Sequence, residues 1–209
     1  MFFHKETSMA FVLVPRTGST SLRTYLNKVG FKRVVVPGIK PGENYHTTLE
    51  QCAALHSNLN NYKVYGVYRD PVKRFLSGLT FFWQMSVETH SANSNLPDLN
   101  VSLHDATSYD ELVRRIFNWD VNTQLIGIPK LIFMPQINWL GGNVNVVDYE
   151  KMVDQVKHIT RLHNMDNINF MRLNNTYLPN NFGTPSDDVV NFAKLMYNED
   201  YSLESKLIR

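Results

Sequence analysis

The sequence predicts an α/β domain: a central parallel β-sheet with helices on both faces. Three observations carry this. Short apolar runs of strand character recur along the chain and alternate with segments of helical period. The run Met9-Ala10-Phe11-Val12-Leu13-Val14 leads through Pro15-Arg16-Thr17-Gly18 into Ser19-Thr20-Ser21-Leu22, which reads as strand, tight turn and helix. Lys63-Val64-Tyr65-Gly66-Val67-Tyr68 then alternates like a strand and ends at Arg69-Asp70-Pro71, with proline near the first position of the next helix.

Taken in order, strands are expected at 9–15, 32–36, 63–68, 130–134, 143–147 and 168–173. Helices are expected at 20–29, 47–57, 71–86, 108–117, 148–163 and 186–197. The helix at 20–29 opens on three hydroxyl residues, and the one at 47–57 carries Leu49, Cys52 and Leu55 at helical spacing. The helix from 71 places Val72, Phe75, Leu76 and Leu79 toward a core, with Ser77 two turns in. The last helix starts at Ser186 with Asp187 and Asp188 in its first turn, a capping and dipole signal. Residues 88–107 are polar and read as a long loop, a lid or binding loop by length, with His90 and His104 at surface positions. No repeat or low-complexity tract interrupts the chain, and one domain over 1–209 is expected.

The first turn has the makings of an anion site. Gly18 allows a sharp bend, the new helix offers N–H groups without intrahelical acceptors, its dipole favours negative charge, and Arg16 adds a fixed positive one. The nucleotide-hydrolysing pattern GxxxxGK[ST] is missing, because no Lys precedes the hydroxyl pair. A strand, turn and helix without a ligand also fits this segment taken alone. Arg69 sits at the exit of the second strand, and parallel strands deliver both loops to one edge of the sheet, where open α/β sheets bind ligands. One phosphate-like group at each loop is the economical reading. Arg69-Asp70 as a structural ion pair, and Ser77 as an ordinary helix hydroxyl, are the plain alternatives.

At this point the two segments resemble a known family. Pro15-Arg16-Thr17-Gly18-Ser19-Thr20-Ser21-Leu22 is similar to the 5′-phosphosulfate loop of the sulfotransferase superfamily, and residues 69–78, RDPVKRFLSG, to its 3′-phosphate motif with Arg69 and Ser77 eight positions apart. His46-Thr47-Thr48 resembles a stretch of the carbohydrate branch in which the His is the general base. Met134-Pro135-Gln136, Asp148-Tyr149-Glu150 and Tyr197-Asn198-Glu199-Asp200-Tyr201 match weaker features of that branch. The resemblance spans about residues 10–203. It implies a P-loop-like three-layer fold and a metal-independent transferase using 3′-phosphoadenosine 5′-phosphosulfate as donor. Arg16, Thr17, Gly18, Ser19, Thr20 and Ser21 would hold the donor's 5′ end, and Arg69 with Ser77 its 3′-phosphate. His46 would act as base and Arg16 at the leaving group, with a hydroxyl acceptor, most plausibly a carbohydrate. The family usually has Lys where this chain has Arg16; the charge is kept, but on a bulkier, forked group. Glu43 is the competing base, since some branches use Glu. An imidazole with its ordinary pKa near 6.5 suits proton removal at neutral pH, while a helix-cap or surface role is the plain reading of His46. Kinase-like phosphotransfer and a non-catalytic nucleotide- or glycan-binding module are the rival functions.

Composition narrows the classes. At 209 residues and 43% hydrophobic the chain can bury one good core, and a net charge of +2 argues against a general nucleic-acid binder. The lone Cys52 is expected as a packed, reduced thiol. The start MFFHKETS reads as too short and polar for a signal peptide, and no run of about 18 apolar residues suggests a membrane span. A cytoplasmic enzyme of bacterial or phage type, unlike the membrane-anchored Golgi relatives, is the expectation, and the sequons at Asn100 and Asn174 then carry no glycan. Lys73 and Arg74 read as a solvated helix face. Phe81, Phe82 and Trp83 read mainly as core with any remainder flooring an acceptor pocket, Trp119 and Trp139 carry the same two readings, and Gln136 reads as structural ahead of orienting acceptor or loop. The segment 80–125 is expected to shape the acceptor side, and Leu173-Asn174-Asn175-Thr176 to approach the nucleoside.

Overall fold

Strands β1 (Phe2–His4), β2 (Met9–Val12), β3 (Lys32–Arg33), β4 (Lys63–Tyr68) and β5 (Val144–Asp148) form one sheet in the order β3-β1-β2-β4-β5. The computed structural model describes residues 1–40, 43–55, 59, 61–91, 101–160 and 182–208. The chain is mixed α/β and divides into two compact units. One comprises Met1–Arg69, Gln136–Asn174 and Glu199–Arg209; the other comprises Asp70–Pro135 and Asn175–Asn198.

The first unit holds the sheet. β2, β4 and β5 run parallel, as expected, but β1 pairs antiparallel with both β2 and β3, so the sheet is mixed rather than parallel. The reason is the length of the link. Residues 5–8 can close a hairpin, whereas a parallel neighbour needs a crossover of about a dozen residues or more. The chain leaves β2 for β3 on one flank and returns with β4 on the other. The carboxyl end of β2 is therefore the switch point at which open α/β sheets bind ligands.

One face of the sheet is covered by α1 (Ser19–Lys28) and α7 (Met152–Thr160). Leu22, Tyr25, Leu26, Met152 and Val156 bury against Phe11, Val67 and Val147. On the other face α6 (Ile137–Leu140) sits so close that a Cβ on Gly66 would lie 2.3 Å from Leu140 Cδ2 and 2.7 Å from Val12 Cγ2. Glycine is what lets helix and strand approach here. A 3₁₀ turn, Glu43–His46, precedes the short α2 (Leu49–Ala53), which Thr48 and Gln51 close with a reciprocal capping box. Cys52 is buried, its thiol donating to Thr47 Oγ1 at 3.2 Å.

The second unit is helical: α3 (Pro71–Ser91), α4 (Tyr109–Phe117), α5 (Gly127–Phe133) and α8 (Asp187–Met196). Its core is aromatic, with the Phe75 ring 5.7–6.0 Å from those of Phe117, Phe133, Phe192 and Tyr197. Phe82 is buried in this core, and Phe81 and Trp83 pack against it. Trp119 lies at the edge, its ring 5.7 Å from Phe192. Ser108 and Ser186 cap α4 and α8 through their side chains. The expected loop at 88–107 starts later, since 88–91 complete α3; beyond it Leu103 is buried and its N–H donates to Ser86 Oγ, and the His104 ring stacks 3.7 Å from that of His90.

Two further expectations fail here. Residues 130–134 are not a strand but the end of α5; a short apolar run fits either element, and Pro129 is tolerated in a first helical turn. Arg74 is not solvated but 1% exposed. Its Nη2 donates to the carbonyls of Ile132 at 2.9 Å and Met134 at 2.8 Å, and its guanidinium lies 5.5 Å from the Tyr197 ring. Tyr197 Oη donates to the carbonyl between those two, on Phe133, at 2.9 Å. The last carbonyls of α5 are thus capped by side chains, which offsets their burial. Boundaries also move: the strand at 32–36 shortens to two residues, and the helix at 148–163 becomes a 3₁₀ turn, Tyr149–Lys151, followed by α7. The expected strand 168–173, the segment 173–176, Asn100, Asn174 and residues 92–100 lie outside the described residues. Among the described residues no helix is long and apolar enough to cross a membrane.

Candidate functional site

At the carboxyl end of β2 the backbone turns through conformations that L-residues seldom adopt. Arg16 has φ +64° and Gly18 φ +76°. A left-handed arginine costs of order 1 kcal/mol, and such strain is kept where surrounding structure fixes it. Thr17 is buried and its hydroxyl donates to the Val14 carbonyl at 2.9 Å, tying the turn shut from inside. That side chain therefore faces inward, and its backbone N–H is what it can present. Gly18 is the N-cap of α1 and has no side chain to bond the first turn; its carbonyl receives the Leu22 N–H at 3.0 Å. Ser19 and Thr20 are half-buried and Ser21 is buried at this end of the helix. A Cβ at Gly18 would come within 2.9 Å of Met152 Cε and 3.3 Å of Tyr149 Cε2, so the loop is held against the start of the Tyr149–Met152 segment.

Arg69, one residue beyond β4, reaches this turn. Its Nη1 donates to the Arg16 carbonyl at 3.0 Å, and its guanidinium lies over the Tyr149 ring, 4.6 Å from the centroid. Its Nε is buried with no hydrogen-bond partner among the described residues. The backbone of Arg69 is fixed independently by Gln136. The Arg69 N–H donates to Gln136 Oε1 at 3.0 Å, and Gln136 Nε2 donates to the Arg69 carbonyl at 2.8 Å. The side-chain amide bonds the strand end as a neighbouring strand would. Gln136 is anchored in turn by Asp200: the Asp200 carboxylate accepts the N–H groups of Gln136 and Ile137, each at 2.9 Å. Both Gln136 and Asp200 are 0% exposed.

His46 ends the 3₁₀ turn and is half-buried. Its Nδ1 lies 2.7 Å from the carbonyl of Leu13, the residue after β2. A carbonyl can only accept, so the proton is on Nδ1 and, in the neutral ring, the lone pair is on Nε2. Trp139, buried, donates its indole N–H to the His46 carbonyl at 2.8 Å, which holds the residue from its other side. Glu43 stands three residues earlier in the same turn, half-buried.

The first unit thus brings together Arg16, Thr17, Gly18, the opening of α1, Arg69 and His46 at one sheet edge. Ser77 belongs to the second unit, half-buried two turns into α3. Asp70, also of that unit, caps α3: its Oδ1 accepts the Lys73 N–H at 2.8 Å. Sequence reading gave no sign that Tyr149, Gln136 and Asp200 converge on Arg69. A structural role for Gln136 is the one part of this that the sequence suggests. Among the described residues no group of His, Cys, Asp and Glu is placed to hold a metal ion. No protein-family model, curated protein or solved structure matches the chain.

Proposed function

We propose that the chain is a sulfotransferase that moves a sulfuryl group from 3′-phosphoadenosine 5′-phosphosulfate to an acceptor hydroxyl, most plausibly on a carbohydrate. The observation that carries the reading is the 3.0 Å bond from Arg69 to the carbonyl of Arg16, which joins two sequence-distant, anion-seeking loops at one sheet edge. In the same reading the unit from β2 through the turn to α1 belongs to a P-loop-like three-layer architecture.

The residues present suit such a donor. A glycine N-cap, a left-handed turn and the N-terminal end of a ten-residue helix offer backbone N–H groups and the positive end of a dipole to anionic oxygens. Arg16 and Arg69 supply positive charge around it, and Tyr149 and Gln136 hold Arg69 in place before any ligand arrives. Ser77 is assigned to the 3′-phosphate by resemblance. The donor supplies an activated sulfuryl group on a phosphate leaving group. His46 Nε2 accepts the proton of the attacking hydroxyl, with Nδ1–H on the Leu13 carbonyl setting that tautomer. Positioning and charge stabilisation supply the remainder of the rate enhancement.

The test is a thermal-shift screen with adenosine 3′,5′-bisphosphate, ATP and adenosine 5′-phosphate, followed by sulfuryl-transfer assays. The bisphosphate should stabilise the protein most. Arg69→Ala should weaken its binding by about 10- to 100-fold, the worth of a charge-assisted hydrogen bond. His46→Ala should keep that binding and lose about 10²- to 10⁴-fold in turnover. Preference for ATP, or full turnover in His46→Ala, overturns the donor or the base assignment respectively.

A further inference from the structure

The same sheet edge carries a second cluster of positive charge around Tyr45. Arg23, on α1, and Arg33, at the end of β3, both hold their guanidinium over the ring of Tyr45, with the Cζ atoms 4.2 and 4.7 Å from its centroid. All three residues are half-buried and so reachable from solvent. Among the described residues neither guanidinium forms an ion pair with a carboxylate. Two like charges gathered on one ring repel each other. The negative ring faces offset part of that repulsion, and an anion bound by the guanidinium groups offsets more. A guanidinium presents paired N–H groups that match two oxygens of a carboxylate or a sulfate ester.

The register shows where this cluster lies. Arg33 pairs with Phe2, which pairs with Phe11, so the end of β3 stands level with the carboxyl end of β2. β1 separates β3 from β2, and β4 lies on the far side of β2. The strand of Arg33 and the strand of Arg69 are thus three spacings apart, about 14 Å. Arg33 and Arg69 therefore start from strands on opposite sides of β2. Tyr45 precedes His46 directly, and His46 is bonded to the end of β2, between the two.

We infer that Arg23, Arg33 and Tyr45 form an anion subsite for the acceptor. The acceptor is then an acidic glycan, with a carboxylate or sulfate ester seated on the two arginines and a neighbouring hydroxyl presented to His46. The role of the hydroxyl rests on the sulfotransfer reading above; the binding of the anion does not.

The experiment is calorimetry on the full chain with tetragalacturonate, sulfated maltotetraose and neutral maltotetraose at one ionic strength, comparing wild type with R23Q/R33Q. At least one acidic oligosaccharide should bind at least 10-fold more tightly than the neutral one, and R23Q/R33Q should remove that advantage. Which of the two binds identifies carboxylate or sulfate ester as the recognised group. Equal affinity for acidic and neutral oligosaccharides in wild type, or undiminished acidic binding in R23Q/R33Q, overturns the inference. If the double variant fails to match the wild-type circular dichroism, R33Q alone decides by the same criterion. Adenosine 3′,5′-bisphosphate binding, measured on the same samples, should survive in R23Q/R33Q. Its absence from wild type removes the sulfotransfer reading and leaves the subsite to be judged on the oligosaccharides.

Discussion

Gln136 is the most exacting place to test the architecture of the site. Its amide accepts from the Arg69 N–H at 3.0 Å and donates to the Arg69 carbonyl at 2.8 Å, from a fully buried position. Gln136→Leu keeps the approximate volume and removes both bonds. Each is worth about 1 kcal/mol net, and stranding the partly buried groups of Arg69 adds to the loss, giving about 2–3 kcal/mol in all. For a chain of this length that corresponds to a fall in Tm of roughly 5–10 °C. Gln136→Glu is closer in shape yet should be the worse variant at neutral pH. A carboxylate can only accept, and it would face the Arg69 carbonyl and the Asp200 carboxylate, whose Oδ2 lies 3.4 Å from Gln136 Nε2. Urea unfolding followed by circular dichroism, with adenosine 3′,5′-bisphosphate binding on the same samples, reads both consequences. If Gln136→Glu proves more stable than Gln136→Leu, or if Gln136→Leu costs less than about 0.5 kcal/mol, the amide is not what fixes the strand end.

Two further predictions follow from packing and from pH. Gly66→Ala should destabilise by about 1–3 kcal/mol or more, because the added methyl meets Leu140 and Val12 well inside contact distance in a packed layer; a denaturation midpoint within error of wild type would mean that α6 moves aside freely. The Met1 amine, buried and donating to Thr47 Oγ1 at 3.0 Å, has its pKa lowered by burial from 8.0 to about 6. The unfolded chain therefore binds a proton that the folded chain resists, so stability should fall as pH drops from 8 to 6 and level off below, by up to about 3 kcal/mol from this group. Competitive acetylation of the α-amine across that range gives its apparent pKa directly, and a value near 8 would contradict the burial.

How much of this was legible in the sequence depends on the reach of each interaction. β2 with its turn and α1, and β4 with its exit at Arg69, were readable because apolar runs, a turn glycine and hydroxyl or proline helix starts act over a few residues. The cap at Ser186 was readable for the same reason. β1 was not, since three residues before a polar hairpin carry almost no periodic signal. Its antiparallel pairing is what makes the sheet mixed. The run at 130–134 misled because Leu131, Ile132 and Phe133 fill a helix core as well as a strand. Arg74 looked solvated because the carbonyls it caps lie 58 and 60 positions away. Gln136 likewise meets Arg69 across 67 positions and Asp200 across 64, distances at which one sequence gives no pairing signal.

The hydrogen bond between the ring of His46 and the end of β2 also separates form from reactivity. With Nδ1–H on the Leu13 carbonyl, a second ring proton can enter only at the far ring nitrogen, so the imidazole keeps its link to Leu13 while losing its free electron pair. On the sulfotransfer reading, loss of turnover at low pH should then be reversible. If His46 is the base proposed above, acid would remove its function without breaking the bond that holds it to β2.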